Sequence, residues 1–123
     1  MANETIVIVD DNATNQKLVR IVLEEAGYAV HAAGDAASAF ALLERVSPQL
    51  ILMDIQLPDV NGIELTRQLK ADPRHAHIVI VALSAYARPA DRERALAAGC
   101  AAYITKPIDI DGLLATVAAA LTA

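Results

Sequence analysis

A chain of 123 residues is long enough to bury one hydrophobic core but short for two domains. Its net charge of −5 argues against a surface that follows nucleic-acid phosphates, and no apolar run approaches the roughly 20 residues of a membrane span. The single cysteine cannot form an internal disulfide and fits a reducing compartment. We therefore expect one cytoplasmic domain (1–123, core about 5–121) without an output domain and without a nucleic-acid or membrane partner.

Apolar, β-branched runs alternate along the chain with segments of helical periodicity. This alternation predicts an α/β domain in which helices cover both faces of a doubly wound parallel sheet. The first, third and fourth strands are almost entirely apolar, as expected of central strands, whereas the second alternates like an edge strand. The predicted strands cover 5–9, 28–32, 49–53, 78–83 and 101–104, and the predicted helices cover 13–26, 35–46, 62–71, 89–98 and 109–121.

Individual residues predict where several helices begin and end. Gly27 and Gly99 lie just past the first and fourth helices, where a left-handed cap favours glycine. Asp35 and Asp109 precede the second and fifth helices and are candidate N-caps.

Five polar residues lie where predicted strands end: Asp10, Asp11, Asp54, Ser84 and Lys106. In an open parallel sheet the carboxyl ends of the strands share one edge, so we expect these side chains to meet in one cleft. A carboxylate pair 4 Å apart repels by roughly 4 kcal/mol at an effective dielectric near 20, so the acids need cations. Lys106 supplies one, and Mg²⁺ suits the oxygen ligands and a phosphoryl substrate. No histidine or cysteine adjoins these acids in sequence to build a zinc site.

Four stretches resemble the motifs of response-regulator receiver domains, and together they reach from one end of the chain to the other. They are Ile8–Asn12, Leu52–Pro58 with Gly62, Ala82–Ala85 and Tyr103–Pro107. The resemblance implies a flavodoxin-like (βα)5 fold with strand order 2-1-3-4-5. Within the family the chain is most similar to single-domain regulators, although its opening Val-Asp-Asp-Asn-x-x-Asn is also common in receivers of hybrid histidine kinases.

The resemblance further implies a chemical role for each residue at the strand ends. Asp54 is the phosphoacceptor and takes a phosphoryl group from a histidine kinase or a phosphotransfer protein. Asp11, Asp54 and the backbone carbonyl of Gln56 ligate Mg²⁺, while Asp10 acts mainly through a water. Lys106 holds a phosphoryl oxygen. The chain would thus catalyse its own phosphorylation and, at most, its own dephosphorylation, and would not be an enzyme for other substrates.

The same resemblance assigns a switch. Ser84 hydrogen-bonds the phosphoryl group, Ala85 leaves room for it, and Tyr103 swings inward as the loop after Ser84 closes. A locally satisfied hydroxyl and a half-buried strand tyrosine are the plainer interpretations of Ser84 and Tyr103. Gln56 and Tyr86 border the path of hydrolytic water in this family, and we hypothesise that the bulk of Tyr86 shields the acyl phosphate.

Two surfaces are candidates for partner binding. Arg88 and Arg92 lie on the face where the fourth helix, fifth strand and fifth helix would signal to a downstream effector protein, although charged runs are commonly solvated helix surface. Leu18 and Val22 belong to an apolar band on the first helix that is wider than a core stripe requires, and the resemblance assigns part of it to kinase docking. We expect a monomer, with phosphorylation-dependent dimerisation left open.

Three alternatives compete with a stand-alone receiver. A receiver within a hybrid kinase or relay would pass the phosphoryl group onward. A Mg²⁺-dependent phosphatase with an aspartyl nucleophile usually needs a second acid two residues later, where this chain has Gln56. A dinucleotide-binding domain needs glycines that the turn from Asp10 to Ala13 lacks.

Overall fold

The computed structural model describes residues 4–85 and 88–122, in which five strands and five helices alternate. All strand pairs are parallel, and the order across the sheet is β2-β1-β3-β4-β5, which confirms the predicted flavodoxin-like topology. The strands are β1 Thr5–Val9, β2 Ala29–Ala33, β3 Leu50–Asp54, β4 Val79–Ser84 and β5 Ala102–Thr105. The helices are α1 Ala13–Glu25, α2 Ala36–Leu43, α3 Gly62–Ala71, α4 Pro89–Ala98 and α5 Ile110–Thr122.

The sheet separates two aliphatic cores, because successive side chains of a strand point to opposite faces. On one face, α2, α3 and α4 pack against residues such as Val7, Ile51 and Ile80. On the other face, α1 and α5 pack against residues such as Ile8 and Leu52. β1, β3 and β4 are therefore covered on both sides, as their nearly continuous apolar sequences predict. No helix among residues 4–85 and 88–122 is both long and apolar enough to cross a membrane.

The predicted caps are present. Gly27 and Gly99 have φ values of 101° and 119°, the left-handed region in which glycine is favoured. The Asp35 carboxylate accepts a hydrogen bond from Ser38 N, and the Asp109 carboxylate accepts one from Gly112 N at 2.8 Å.

Two one-residue differences from the predicted strand ends bear on the candidate site. β3 extends through Asp54 and β4 through Ser84, because these residues still pair in register with Leu83 and Thr105 of the neighbouring strands. The candidate functional side chains Asp54 and Ser84 thus belong to the last rung of the sheet instead of to the loops that follow.

Candidate functional site

Three carboxylates converge at the carboxyl edge of the sheet. Asp10 follows β1 and Asp54 ends β3, the strand beside it, so adjacent backbones bring their side chains together. Asp10 and Asp54 are 0% and 2% exposed, whereas Asp11 is exposed to solvent. One oxygen from each of the three carboxylates lies within 4.8 Å of the others. The predicted acidic cluster is present.

Lys106, which follows β5, bridges the two buried acids. Its Nζ lies 3.0 Å from Asp54 Oδ2 and 3.2 Å from Asp10 Oδ2, and its side chain is only 18% exposed. Its backbone N–H donates to Ser84 O at 2.7 Å, which ties the residue to the end of β4. The following Lys106–Pro107 peptide bond is cis. Lys106 is therefore an internal counter-ion of the acid cluster.

The orientation of Asp10 is set by the first turn of α1. Asp10 Oδ1 accepts a hydrogen bond from the N–H of Asn12, the N-cap of α1, at 2.9 Å. Asn15 Nδ2 donates to Asp10 Oδ2 at 3.4 Å, and the side-chain amide of Gln16 donates to the Asp10 carbonyl. Gln16 Nε2 also reaches Ala33 O, the carbonyl at the end of β2, at 3.2 Å. The bonds from Asn12 and Asn15 orient the Asp10 carboxylate, and those from Gln16 hold the backbone at the ends of β1 and β2.

Burial dominates the electrostatics of Asp54. It raises the pKa of this carboxyl, and the neighbouring charge of Asp10 adds to the rise, while the Gln56 N–H and Lys106 oppose it. Burial alone would lower the pKa of Lys106. The hydrogen bond and ion pair with Asp54, together with the charge of Asp10, outweigh burial, so the pKa of Lys106 is raised. The ammonium is thus retained beside acids that it does not fully neutralise.

The donor set fits a hard divalent cation. Three carboxylates against one ammonium leave two negative charges, and each potential ligand atom in the cluster is an oxygen. Mg²⁺ prefers such ligands and carries the charge that is missing.

The loop between β3 and α3 closes tightly against the phosphoacceptor candidate. Gln56 N donates to Asp54 Oδ1 at 3.0 Å, and Gln56 pairs with Asn61 in an isolated antiparallel bridge. Gly62, the first residue of α3, lies so close to the β3 backbone that an added Cβ would overlap Asp54 O and come within 2.8 Å of Ile55 Cα. A glycine is required here by space, because any side chain would push α3 away from Asp54.

The proposed switch residues lie on the two strands beyond β3. Ser84 is 1% exposed at the end of β4 and lines a cavity of about 210 Å³ together with Gln56, Asn61 and Arg88. Tyr103 on β5 is half-buried against the core formed with α2, α3 and α4. Their switching roles remain predictions. Tyr86, the predicted shield of the acyl phosphate, lies outside the described residues.

The partner-binding candidates occupy two separate regions. Arg88 precedes α4 and its Nε lies 2.9 Å from Asp91 Oδ2, while Arg92 is exposed on the same helix. On α1 only Val19 and Leu23 are fully buried. The remaining apolar band lines a groove of about 420 Å³ between α1 and α5, formed by Leu18, Ile21, Val22, Glu25, Ala26, Ile110 and Leu114.

One residue near the site is absent from the sequence predictions. Asp59, in the β3–α3 loop, accepts hydrogen bonds from Ala36 N at 3.0 Å and Ala37 N at 3.1 Å. The Ala36 N–H is the main cause of a lowered pKa for Asp59. Its partners lie more than twenty residues away along the chain, so no local pattern identifies this contact.

Comparison with known proteins agrees with this fold and with the acidic edge of the sheet. Residues 6–118 match the response regulator receiver domain, so the chain belongs to that family of two-component signalling proteins. Among characterised relatives, it is similar to the polar-differentiation response regulator DivK of Brucella anthropi. The two are 41% identical over 114 residues, which cover 93% of each chain.

Solved structures extend the likeness to receivers attached to kinases. The receiver domain of a sensor histidine kinase from Pseudomonas aeruginosa is 33% identical, with a TM-score of 0.88 over 99% of this chain and 100% of that one. That structure holds a magnesium ion coordinated in the active-site cleft. A CheY-like receiver domain protein from Methanospirillum hungatei is 30% identical, with a TM-score of 0.89 over 98% and 95% of the two chains.

Proposed function

We propose that the chain is the phosphoacceptor of a two-component phosphorelay. Asp54 accepts a phosphoryl group from a phosphohistidine in a Mg²⁺-dependent reaction, and the modified domain binds partner proteins differently. The observation that carries this proposal is the position of Asp54, a buried carboxylate held by Gln56 N and Lys106 Nζ beside two further acids.

The transfer requires no general base, because Asp54 attacks as a carboxylate. One of its oxygens forms a bond to phosphorus while the opposite phosphorus–nitrogen bond to the donor imidazole breaks. The imidazole nitrogen keeps the electron pair of the broken bond, and the product is an acyl phosphate. Positioning and charge neutralisation supply the catalysis.

Asp11, Asp54 and the backbone carbonyl of Gln56 would hold Mg²⁺, with Asp10 beside them. The bound ion supplies positive charge that offsets the oxygens of the incoming phosphoryl group. The excess negative charge of the acid cluster and the magnesium ion in the similar Pseudomonas receiver support a magnesium site at these acids.

Lys106 changes partners during the reaction. Its ammonium pairs with Asp54 Oδ2 at 3.0 Å before transfer. Once that carboxylate becomes an acyl phosphate, the negative charge moves outward to the phosphoryl oxygens, and Lys106 follows it. The ion pair with Asp10 at 3.2 Å keeps the lysine at the site throughout.

The new charge acts on the adjacent strand ends. The buried Ser84 hydroxyl donates to a phosphoryl oxygen, and Tyr103 moves further inward, so the face of α4, β5 and α5 changes for an effector protein.

The groove containing Leu18 and Val22 docks the histidine kinase or phosphotransfer protein, which its exposed apolar lining supports. A receiver within a hybrid kinase or relay is the second candidate, favoured by the likeness to kinase-attached receivers.

Incubation with acetyl phosphate and Mg²⁺, followed by intact-mass measurement, tests the proposal. We expect the wild type to gain the mass of one phosphoryl group, and Asp54→Asn or chelation of Mg²⁺ to abolish the gain. Steady hydrolysis of phosphomonoesters without accumulation would instead show a phosphatase. A wild-type chain that gains no mass and binds no Mg²⁺ would refute the proposal.

A further inference from the structure

The loop between β3 and α3 is fixed at its base and at its tip. At the base, Gly62 N donates to Ile55 O at 2.7 Å, next to the bridge between Gln56 and Asn61. At the tip, the Asp59 carboxylate reaches across to the first turn of α2. The tip contact joins a loop of the phosphoryl-transfer site to a helix that contributes no side chain to that site.

The two N–H groups that donate to Asp59 have no acceptor within α2 itself. The first turn of an α-helix has donors with no acceptor inside the helix, and anions are stabilised there by the helix dipole. Asp35, the N-cap of α2, accepts from Ser38 N at 2.7 Å, and Asp59 takes the preceding donors of Ala36 and Ala37. Ala36 is 5% exposed and packs in the core, so Asp59 is tied to a rigid element.

The tip is close in sequence to Gln56. Only Leu57 and Pro58 separate Gln56 from Asp59; Leu57 packs against the core, and the proline ring restricts φ. Gln56 N is itself bound to Asp54 Oδ1. With Asp59 fixed, little freedom remains for the Gln56 peptide, whose carbonyl the proposed function assigns to Mg²⁺.

We propose that Asp59 is a positioning residue for the metal site, whose two hydrogen bonds to α2 hold the β3–α3 loop with the Gln56 carbonyl already placed for Mg²⁺. This inference rests on the proposed function. Without the tether, Mg²⁺ binding must also order the loop, and that ordering reduces affinity. Partners of metal ligands commonly change affinity 10- to 100-fold, and for this more distant residue we expect roughly 3- to 10-fold.

The test compares Asp59→Ala with Asp35→Ala. Each variant removes one carboxylate that caps the same end of α2, but only Asp59 belongs to the β3–α3 loop. Both should lower the melting temperature by roughly 2–5 °C. Mg²⁺ affinity is measured by calorimetric titration, and hydrogen exchange of the Gly62 amide is measured without Mg²⁺.

We expect Asp59→Ala alone to weaken Mg²⁺ binding and to speed exchange at Gly62. Equal weakening in Asp35→Ala would assign the effect to charge or helix stability and overturn the positioning role. Unchanged affinity in Asp59→Ala would overturn it alone, leaving the proposed function intact. Absence of Mg²⁺ binding by the wild type would overturn both.

Discussion

The charge of Asp54, the proposed phosphoacceptor, is costly where it lies. The side chain is 2% exposed and shares Lys106 with Asp10, so two buried carboxylates depend on one ammonium. Burial and the neighbouring acid raise the pKa of Asp54 above its ordinary value of 3.8. The same desolvation that makes a carboxylate a better nucleophile therefore reduces the stability of the metal-free protein.

Without Mg²⁺, Asp54→Asn should raise the melting temperature by roughly 2–5 °C at neutral pH, because the amide removes the charge and can still accept the Gln56 N–H. Since the pKa of Asp54 is raised in the folded state, its destabilisation is absent below 3.8 and grows as the pH rises through the folded-state pKa. The difference from wild type should therefore widen from acid to neutral pH in calorimetric scans.

Asp11→Asn is the matched control, since Asp11 is exposed and belongs to the same cluster. Its metal-free melting temperature should stay close to that of the wild type. A fall in melting temperature for Asp54→Asn, or a difference that does not vary with pH, would show that Lys106 fully compensates the acids.

At the residue scale, the sequence predicts which side chains meet at the site but not the long-range contact of Asp59. Asp10, Asp54 and Lys106 meet because each follows or ends an apolar strand, and parallel strands place their carboxyl ends at the same edge of the sheet. The contact of Asp59 depends on α2 lying beside the β3–α3 loop, so short-range sequence patterns do not predict it.

Among the elements, α3 begins directly against the strand that carries Asp54. Its first residue, Gly62, packs against the backbone of Asp54 and Ile55. Asn61 caps this helix because its Oδ1 accepts a hydrogen bond from Ile63 N at 2.8 Å, and Thr66 Oγ1 donates to Gly62 O at 2.8 Å. The start of α3 thus packs against the strand end that carries the proposed phosphoacceptor.

Gly62→Ala should destabilise the protein by about 1–3 kcal/mol, because its methyl group overlaps Asp54 O and Ile55 Cα unless α3 moves. The displacement should also slow phosphorylation by acetyl phosphate. Urea unfolding and the rate of mass gain measure the two effects.

Gly34→Ala is the control for this substitution, because an added Cβ there finds its nearest atom, Gln16 Nε2, at 4.0 Å. Neither Gly34 nor Gly62 has a positive φ, so neither substitution meets left-handed backbone strain. Equal free energies of unfolding for the two variants would mean that α3 moves to accommodate the methyl group without loss of stability.

Two element boundaries depart from prediction where local backbone hydrogen bonds decide them. α2 was predicted to continue to residue 46 but ends at Leu43, because Glu44 N and Arg45 N bond three residues back, to Ala41 O and Leu42 O. The second strand was predicted from residue 28, yet Tyr28 N bonds to Leu23 O in the turn that ends α1. Apolar periodicity locates these elements but does not show where turn hydrogen bonds replace those of the helix or strand.

In the molecule as a whole, different helices cover the two faces of the sheet. α2, α3 and α4 cover the face where Tyr103 packs, and α1 and α5 cover the other. Ile21 on α1 and Phe40 on α2 are 47% and 39% exposed, so each face presents a large apolar side chain to solvent. Of these two side chains, Ile21 lines the groove proposed for docking of the phosphodonor, and Phe40 does not.

Ile21→Asp should slow phosphotransfer from a histidine phosphotransfer protein that phosphorylates the wild type, by roughly 10-fold if docking loses about 1.4 kcal/mol. Phosphorylation by acetyl phosphate should not change, because Asp54 lies at the carboxyl edge of the sheet. Phe40→Asp, the same substitution on the opposite face, should leave both rates unaltered. Unchanged phosphotransfer in Ile21→Asp would place the docking surface elsewhere, and equal slowing in the two variants would show that the effect is not specific to this groove.

Identification of the modified residue tests the central claim most directly. After reaction with acetyl phosphate and Mg²⁺, borohydride reduces an aspartyl phosphate to homoserine, and tandem mass spectrometry of peptides locates it. We predict homoserine at position 54 alone, and none when Mg²⁺ is chelated. Homoserine at position 10 or 11, or a phosphorylated chain with no reduced aspartate, would contradict the assignment of Asp54 as the phosphoacceptor.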